Sequence, residues 1–298
     1  MCPSCHSQTG FSLVELMVAM LLSLLLIGAI GSLSLSAARS YRATTRAGEL
    51  AESGRHALML LTDDLEHAGF FGQYVPPADL NGQTLTDPCA TRQETAFLLP
   101  VTDYDSLPTK TCSLSSRRPQ TPALVIRRAD TTVTTTPLRG GLYLYTRPGS
   151  FSFVANDATD IRAYHVHVYF IRSYSISSGD SIPTLMIKAP SDSNPNAQAL
   201  VEGIEYLLIQ YGVDSDGNGS PDRYKPDETS PGLPVGVEWQ HIVTVKLSLL
   251  ARSLNEDPQH TETASYALGP LRLTPGDHFH RRAFSRVVHL TNVSGRRG

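Results

Sequence analysis

The sequence predicts an α+β protein: a long N-terminal helix, transmembrane in its first half and amphipathic in its second, packed on a β-rich globular head. Three observations predict it. Residues 16–38 carry no charge and are mostly Leu, Ile, Ala, Ser and Gly. No proline stands between Pro3 and Pro76. From residue 123 onward, short runs rich in β-branched and aromatic residues alternate with Pro, Gly, Asp and Ser, the pattern of strands and turns. The 298 residues, 41% of them hydrophobic, suffice for one span and one domain of about 200 residues. A net charge of −3 gives no bulk attraction to nucleic acid.

The helix is justified first. A bilayer needs about 20 apolar residues, so residues 16–38 are long enough to cross one. Glu15 sits at the edge of that run, where a carboxylate costs roughly 2.5–3.5 kcal/mol to insert and is a functional candidate by default. The helix is expected to continue from Phe11 to about Ala68, roughly 85–90 Å at 1.5 Å per residue. In its second half Leu50, Gly54, Ala57, Leu58, Leu61, Leu65 and Ala68 share one face at three-and-four spacing. Arg55, Asp63, Asp64 and Glu66 fall mainly on the other side. Gly69 and Gly72 read as the stop. Gly28, Gly31 and Gly48 each weaken a helix by about 1 kcal/mol relative to alanine. They are places for local melting, or equally for close helix packing.

Residues 74–122 are rich in Pro, Thr, Asp and Ser, with one apolar run at 96–101, and are expected to form a long loop region. Cys89 and Cys112 lie there. In an exported head they are expected to form a disulfide, restricting the unfolded chain by roughly 3 kcal/mol; two buried thiols are the alternative. Cys2-Pro3-Ser4-Cys5-His6 matches the c-type haem attachment pattern, but it precedes the span and is not expected to hold haem.

Strands are expected at 123–128, 141–147, 161–173, 184–188, 199–211, 242–251 and 284–290. Residues 164–169 alternate cleanly, which puts His165 and His167 on one sheet face. With no carboxylate or cysteine cluster beside them, that face is read as solvated. Arg281, Arg282, Arg286, Arg296 and Arg297 make the C-terminal segment basic, read as a solvated edge and tail. No phosphate-binding glycine loop, GxSxG elbow or HExxH helix occurs, so no enzyme is expected.

After the 199–211 strand comes an oxygen-rich turn. Asp214, Asp216, Asn218 and Asp222 stand at positions one, three, five and nine, with Gly219 at six. That is the beginning of an EF-hand-type calcium loop, in which Ser220 would offer its backbone carbonyl. The twelfth position is Lys225 where a bidentate Glu is wanted, so Asp227, Glu228 or water would have to complete the shell. An Asp/Asn/Gly turn with no ion is the alternative. No cofactor is required by anything in the sequence, and Ca²⁺ is the one candidate.

Gly10, Phe11 and Glu15 at the mouth of the apolar helix resemble the type IV prepilin (class III) signal. The resemblance implies cleavage between Gly10 and Phe11, N-methylation of Phe11, and a Glu15 that meets the N-terminal amine of a neighbouring subunit. Residues 52–72, ending Ala68-Gly69-Phe70-Phe71-Gly72, are similar to the late helix of PilW-type minor pilins. Residues 200–214, 243–253 and 280–292 resemble that family's strands. Thr291-Asn292 stands where its members usually have Arg-Asn. Residues 1–10 contain no Lys or Arg, while Arg39, Arg42 and Arg46 lie beyond the span. By charge alone that end would face the cytoplasm; the cleavage motif outranks the charge count.

The resemblance implies a pilin-like fold divided into a prepilin leader (1–10), the pilin helix (11–72) and a periplasmic or extracellular head (73–298). It implies a single-pass protein of the bacterial inner membrane that later enters a surface pilus. There it would help prime assembly at or near the tip, supporting twitching motility and attachment. Its partners would be other minor pilins, the major pilin, the prepilin peptidase, the inner-membrane assembly platform and a tip adhesin. A type II secretion pseudopilin is the nearest alternative, and an adhesin or DNA-binding head on a pilin anchor is another.

Overall fold

The computed structural model describes residues 10, 12–77, 84–155, 157–158, 160–191, 196–227 and 238–295. Helix α1 runs Leu13–Glu66 without a break, through Gly28, Gly31 and Gly48. After it come α2 (Thr95–Leu98), β1 (Val101–Asp103), β2 (Leu124–Ala129), β3 (Tyr143–Arg147), β4 (Ser150–Ser152) and β5 (Asp160–Arg172). Then follow β6 (Thr184–Lys188), β7 (Gln198–Glu202), β8 (Ile204–Val213), β9 (Arg223–Lys225) and β10 (Ile242–Arg252). The hairpin β11 (Tyr266–Leu268) and β12 (Leu271–Leu273), strand β13 (Arg281–His289) and α3 (Thr291–Ser294) close the chain. The chain divides into two compact units, Met1–Glu49 and Leu50–Gly298, so the last turns of α1 belong with the head.

In the first unit the apolar side chains of α1 face outward. Leu21, Ile27 and Leu33 are 61%, 67% and 72% exposed. Such a helix suits lipid or other helices in place of water.

The head is built on two antiparallel sheets. One has the order β1-β2-β5-β3-β4, with β6 joined to β5 and β7 to β6; the other has the order β13-β10-β8-β9. The stripe Leu50, Ala57, Leu58, Leu61 and Leu65 of α1 packs on residues of both sheets, among them Ile126, Ile171, Ile209, Leu247 and Leu249. The other face of the first sheet, with Val125, Tyr164, Val166 and Phe170, packs on Phe71, Phe97 and Tyr104. Alternation along β5 therefore divides two cores: even-numbered residues face the second, and Tyr169 and Ile171 face the helix-side core. On the second sheet, Tyr206, Leu208 and Leu250 meet Leu268, with β12 residues packed against them.

Two of the glycines required by contact shape the architecture. A Cβ on Gly54 would lie 2.2 Å from the Phe284 ring, so β13 seats an aromatic ring directly on the α1 backbone. Gly203, at φ +77°, would place a Cβ 2.7 Å from the Arg252 carbonyl. This residue breaks the single strand expected over 199–211 into β7 and β8, which lie in different sheets.

Several expectations are corrected here. Arg281 is not on a solvated edge but buried, with its guanidinium on Glu205 and Asp277. Asp64 is not on a solvent face but 3% exposed. It follows Leu61 by three and Ala57 by seven, which puts it within the buried stripe. His167 is not on a solvated face either, because its ring lies against Asp64. The region 74–122 also holds more regular structure than expected, with α2 and β1 formed from its apolar run.

Candidate assembly site

The N-terminal end of α1 is closed by its own side chains. The Ser12 N–H donates to Glu15 Oε2 at 2.9 Å, and the Val14 N–H donates to Ser12 Oγ at 3.3 Å. This variant of the capping box, with Ser12 Oγ on the second amide of the helix in place of the third, satisfies two of the amides at the helix start. It gives Glu15 a partner within its own chain. Ser12 was not singled out from the sequence, although Ser-x-x-Glu before an apolar run is its readable signature. Gly10 is exposed, and Phe11, the other half of the expected cleavage site, lies outside the described residues. So do Cys2 and Cys5.

Where the helix meets the head, Asp64 joins three elements. Arg128 Nε donates to Asp64 Oδ1 at 2.5 Å, His167 Nδ1 lies 2.8 Å from Oδ2, and the Tyr169 hydroxyl donates to Oδ2 at 3.0 Å. Burial alone would raise the carboxyl pKa. The hydrogen bond and charge of His167, then those of Arg128, more than offset it and hold Asp64 well below the usual range. The helix end is tied from the opposite terminus of the chain, since Asn292 Nδ2 donates to the Glu66 and Ala68 carbonyls, both at 3.3 Å. The Glu66 carbonyl is among the four that a helix end leaves unpaired, and Ala68 lies in the turn just past it. Gly69, at φ +78°, then turns the chain, and its N–H donates to the Arg127 carbonyl of β2.

The bridge Cys89–Cys112 is formed, with Cα atoms 5.9 Å apart. Asp87 braces the same loop, accepting from the Cys89 N–H at 2.9 Å and the Thr111 N–H at 3.3 Å. Arg127, fully buried, donates to the Leu99 carbonyl at 2.7 Å and the Pro88 carbonyl at 2.6 Å, pinning the loop to β2. Beside it on β1, Asp103 is 1% exposed; burial, more than the neighbouring charge of Asp105, pushes its pKa up to about 7.

The acidic turn connects β8 to β9. Asp214, Asp216 and Asp222 each bring a carboxylate oxygen within 4.8 Å of the others. Asp214 accepts the N–H groups of Gly217 at 2.7 Å and Gly219 at 2.9 Å, and Asp222 accepts that of Ser215 at 2.7 Å. The two amides on Asp214 outweigh its burial and lower its pKa. Asn218 Oδ1 accepts the Ser220 N–H at 2.8 Å, so that side chain braces the turn. Lys225 is carried into β9, paired with Tyr211, and its ammonium bonds Asp227. Glu228 lies outside the described residues. The structure thus gathers the three aspartates and leaves the twelfth position of the loop on the strand.

The comparisons with known proteins fall on these two ends of the chain. Residues 5–31 match the model of the prokaryotic N-terminal methylation motif. That motif on an outward-facing apolar helix points to a class: membrane-anchored type IV pilins. Residues 168–292, from within β5 to Asn292, match the model of Type IV Pilus-assembly protein W. Together the two matches support a type IV pilin of the PilW type, a class that is structural and that implies assembly with pilus components and association with a membrane. No curated protein matches the sequence. Among solved structures, a type IV-like pilin from Thermus thermophilus is similar at 13% identity and a TM-score of 0.34, over 83% of this chain and 97% of that one. A score this low does not establish a shared fold, and the pilin-like architecture stands on the helix and head themselves.

Proposed function

We propose that the chain is a minor pilin that is cut between Gly10 and Phe11, methylated at Phe11 and held in the inner membrane with its head in the periplasm. It then enters a surface pilus, helps to prime assembly and sits at or near the tip beside other minor pilins and an adhesin, above the major pilin. Twitching and attachment depend on that fibre. The observation that carries this reading is the pairing, in one chain, of the methylation motif at 5–31 with a PilW-type head at 168–292. Glu15 acts by exchange: it caps its own helix through Ser12 in the free subunit and takes the amine of a neighbour in the fibre.

Intact-mass and N-terminal peptide analysis of membranes and sheared fibres tests it. A chain beginning at N-methylated Phe11, recovered in the fibre fraction, is the expected result. An uncut terminus in cells with an active prepilin peptidase would sink the reading. Deleting the gene should reduce fibre number; normal fibres with lost attachment would instead favour the adhesin head.

We further propose calcium on the β8–β9 turn, on the strength of the three gathered carboxylates. Titration calorimetry of the full chain in detergent should show binding that Asp216→Asn weakens. No heat at millimolar Ca²⁺ would dismiss the ion and leave a self-braced turn.

A further inference from the structure

We propose that Arg39 and Arg42, with Tyr41, bind the headgroups of anionic phospholipids at the outer end of the span and thereby set the depth of Glu15. The proposal rests on the pilin reading for the orientation of the helix. Three arginines at the non-cytoplasmic end oppose the usual charge bias of membrane proteins, so their presence there calls for a partner.

The geometry supplies one. Residues 16–38 carry no charge, and Arg39 follows Glu15 by 24 positions of one unbroken helix. At 1.5 Å per residue the two charges are about 36 Å apart along the axis. The hydrocarbon is about 30 Å thick, and spans tilt by about 20° on average. With Arg39 at the outer headgroup level, Glu15 comes to the inner one, where its charge is least costly. Arg39 and Arg42 stand three residues apart on one side of the helix. Both are exposed, and neither guanidinium has a hydrogen-bond or ion-pair partner among the described residues. Arg46, one turn on, is half-buried and has a partner already. Tyr41 is 74% exposed, an amphipathic ring of the kind that settles at the interface. A guanidinium's forked donors fit a phosphodiester.

The test is full-length chain reconstituted in phosphatidylcholine vesicles carrying either spin-labelled phosphatidylglycerol or spin-labelled phosphatidylcholine. Electron paramagnetic resonance then measures the lipid held at the protein. Phosphatidylglycerol should be preferred by a few-fold, with a ceiling of about fivefold per guanidinium. The preference should fall toward one in Arg39→Gln/Arg42→Gln and in high salt. It should survive in Arg39→Lys/Arg42→Lys, which keeps the charge, and in Arg55→Gln, which lies beyond the first unit. Equal association of both lipids with the natural chain overturns the proposal, as does a preference unchanged in the double Gln variant. In the second case the cations serve another occupant, such as a neighbour's carboxylates. A lipid preference in a chain found uncut in cells would defeat the pilin reading alone. Loss of preference in a chain correctly cut at Phe11 would defeat this one alone.

Discussion

Asp103→Asn should stabilise the head at pH 7 and above and do little at pH 4 and below. Asp103 sits at the end of β1 opposite Leu124, and its Oδ1 accepts the Asp105 N–H at 2.8 Å. Its Oδ2 is buried with no hydrogen-bond partner among the described residues. Burial raises its pKa from 3.8 to about 7. The sign follows from proton counting. Below 3.8 both folded and unfolded chains hold the proton, and the site contributes its full stability. Between 3.8 and 7 only the folded chain holds it, and stability falls as pH rises. Above 7 the buried charge exacts its full cost. A shift of about three units corresponds to about 4 kcal/mol. In a head of this size, 1 kcal/mol moves the melting temperature by about 2–4 °C, so the effect is on the order of 10 °C. Asparagine keeps the Oδ1 acceptor and never ionises. The assay is thermal unfolding of both full-length proteins in detergent, followed by circular dichroism from pH 4 to 9. Taking their difference at each pH cancels the other titrating groups. The gap should be near zero at pH 4, widen steadily between pH 4 and 7, and level off above pH 7. A gap independent of pH, or a variant less stable than the natural chain at pH 8, would refute the reasoning.

The remaining predictions concern how the helix is held. Asp64→Asn should cost about 3–5 kcal/mol at neutral pH, because Arg128 is left without its counter-charge. Since the Asp64 pKa is depressed, its contribution exists above 3.8 and fades as pH falls, so the natural chain and the variant should converge in an acid-unfolding titration. Gly54→Ala should destabilise by about 1–3 kcal/mol through its clash with Phe284, against a gain of about 1 kcal/mol in helix propensity. Adding Phe284→Ala should make Gly54→Ala harmless in a double-mutant cycle by thermal melting. Asn292→Ala should cost about 1 kcal/mol and speed hydrogen exchange at the Gly69 and Phe70 amides, leaving the amides of β10 unchanged.

What the sequence made legible followed local periodicity. The uncharged run, the proline-free stretch and the three-and-four stripe placed α1 to within two residues at each end. Strand β6 was bounded as expected, because Thr184–Lys188 is flanked by turn residues. The three-residue strands β1, β4, β9, β11 and β12 carry too few residues for any period to register. Asp64 was misread for a different reason: its partners Arg128, His167 and Tyr169 lie 64 to 105 residues away. A charge on a helix reads as solvent-facing until the fold delivers its counter-charge. His167 was misread by the same omission seen from the other side. At the helix start the signal was present but unused, since Ser12 and Glu15 are three residues apart and no long-range contact is involved.

The two units of α1 follow different rules, although one helix runs through both. From Leu50 onward its stability is set by packing: Ala57, Leu61 and Leu65 are fully buried, and Gly54 exists to admit a ring from β13. Among the described residues before Glu49 no side chain is fully buried, and Arg46 alone is half-buried. An isolated helix in water draws little from propensity alone, and Gly28, Gly31 and Gly48 lower that contribution further. Its order must come from the medium, which for an uncharged run of this length is a bilayer or a sheath of neighbouring helices. The capping box at Ser12 and the guanidiniums at Arg39 and Arg42 then stand at the two boundaries of that medium. Substitutions at Asp103, Asp64 or Gly54 should accordingly change the melting of the head without changing lipid association. Changes at Arg39 and Arg42 should do the reverse, because neither guanidinium has a hydrogen-bond or ion-pair partner among the described residues.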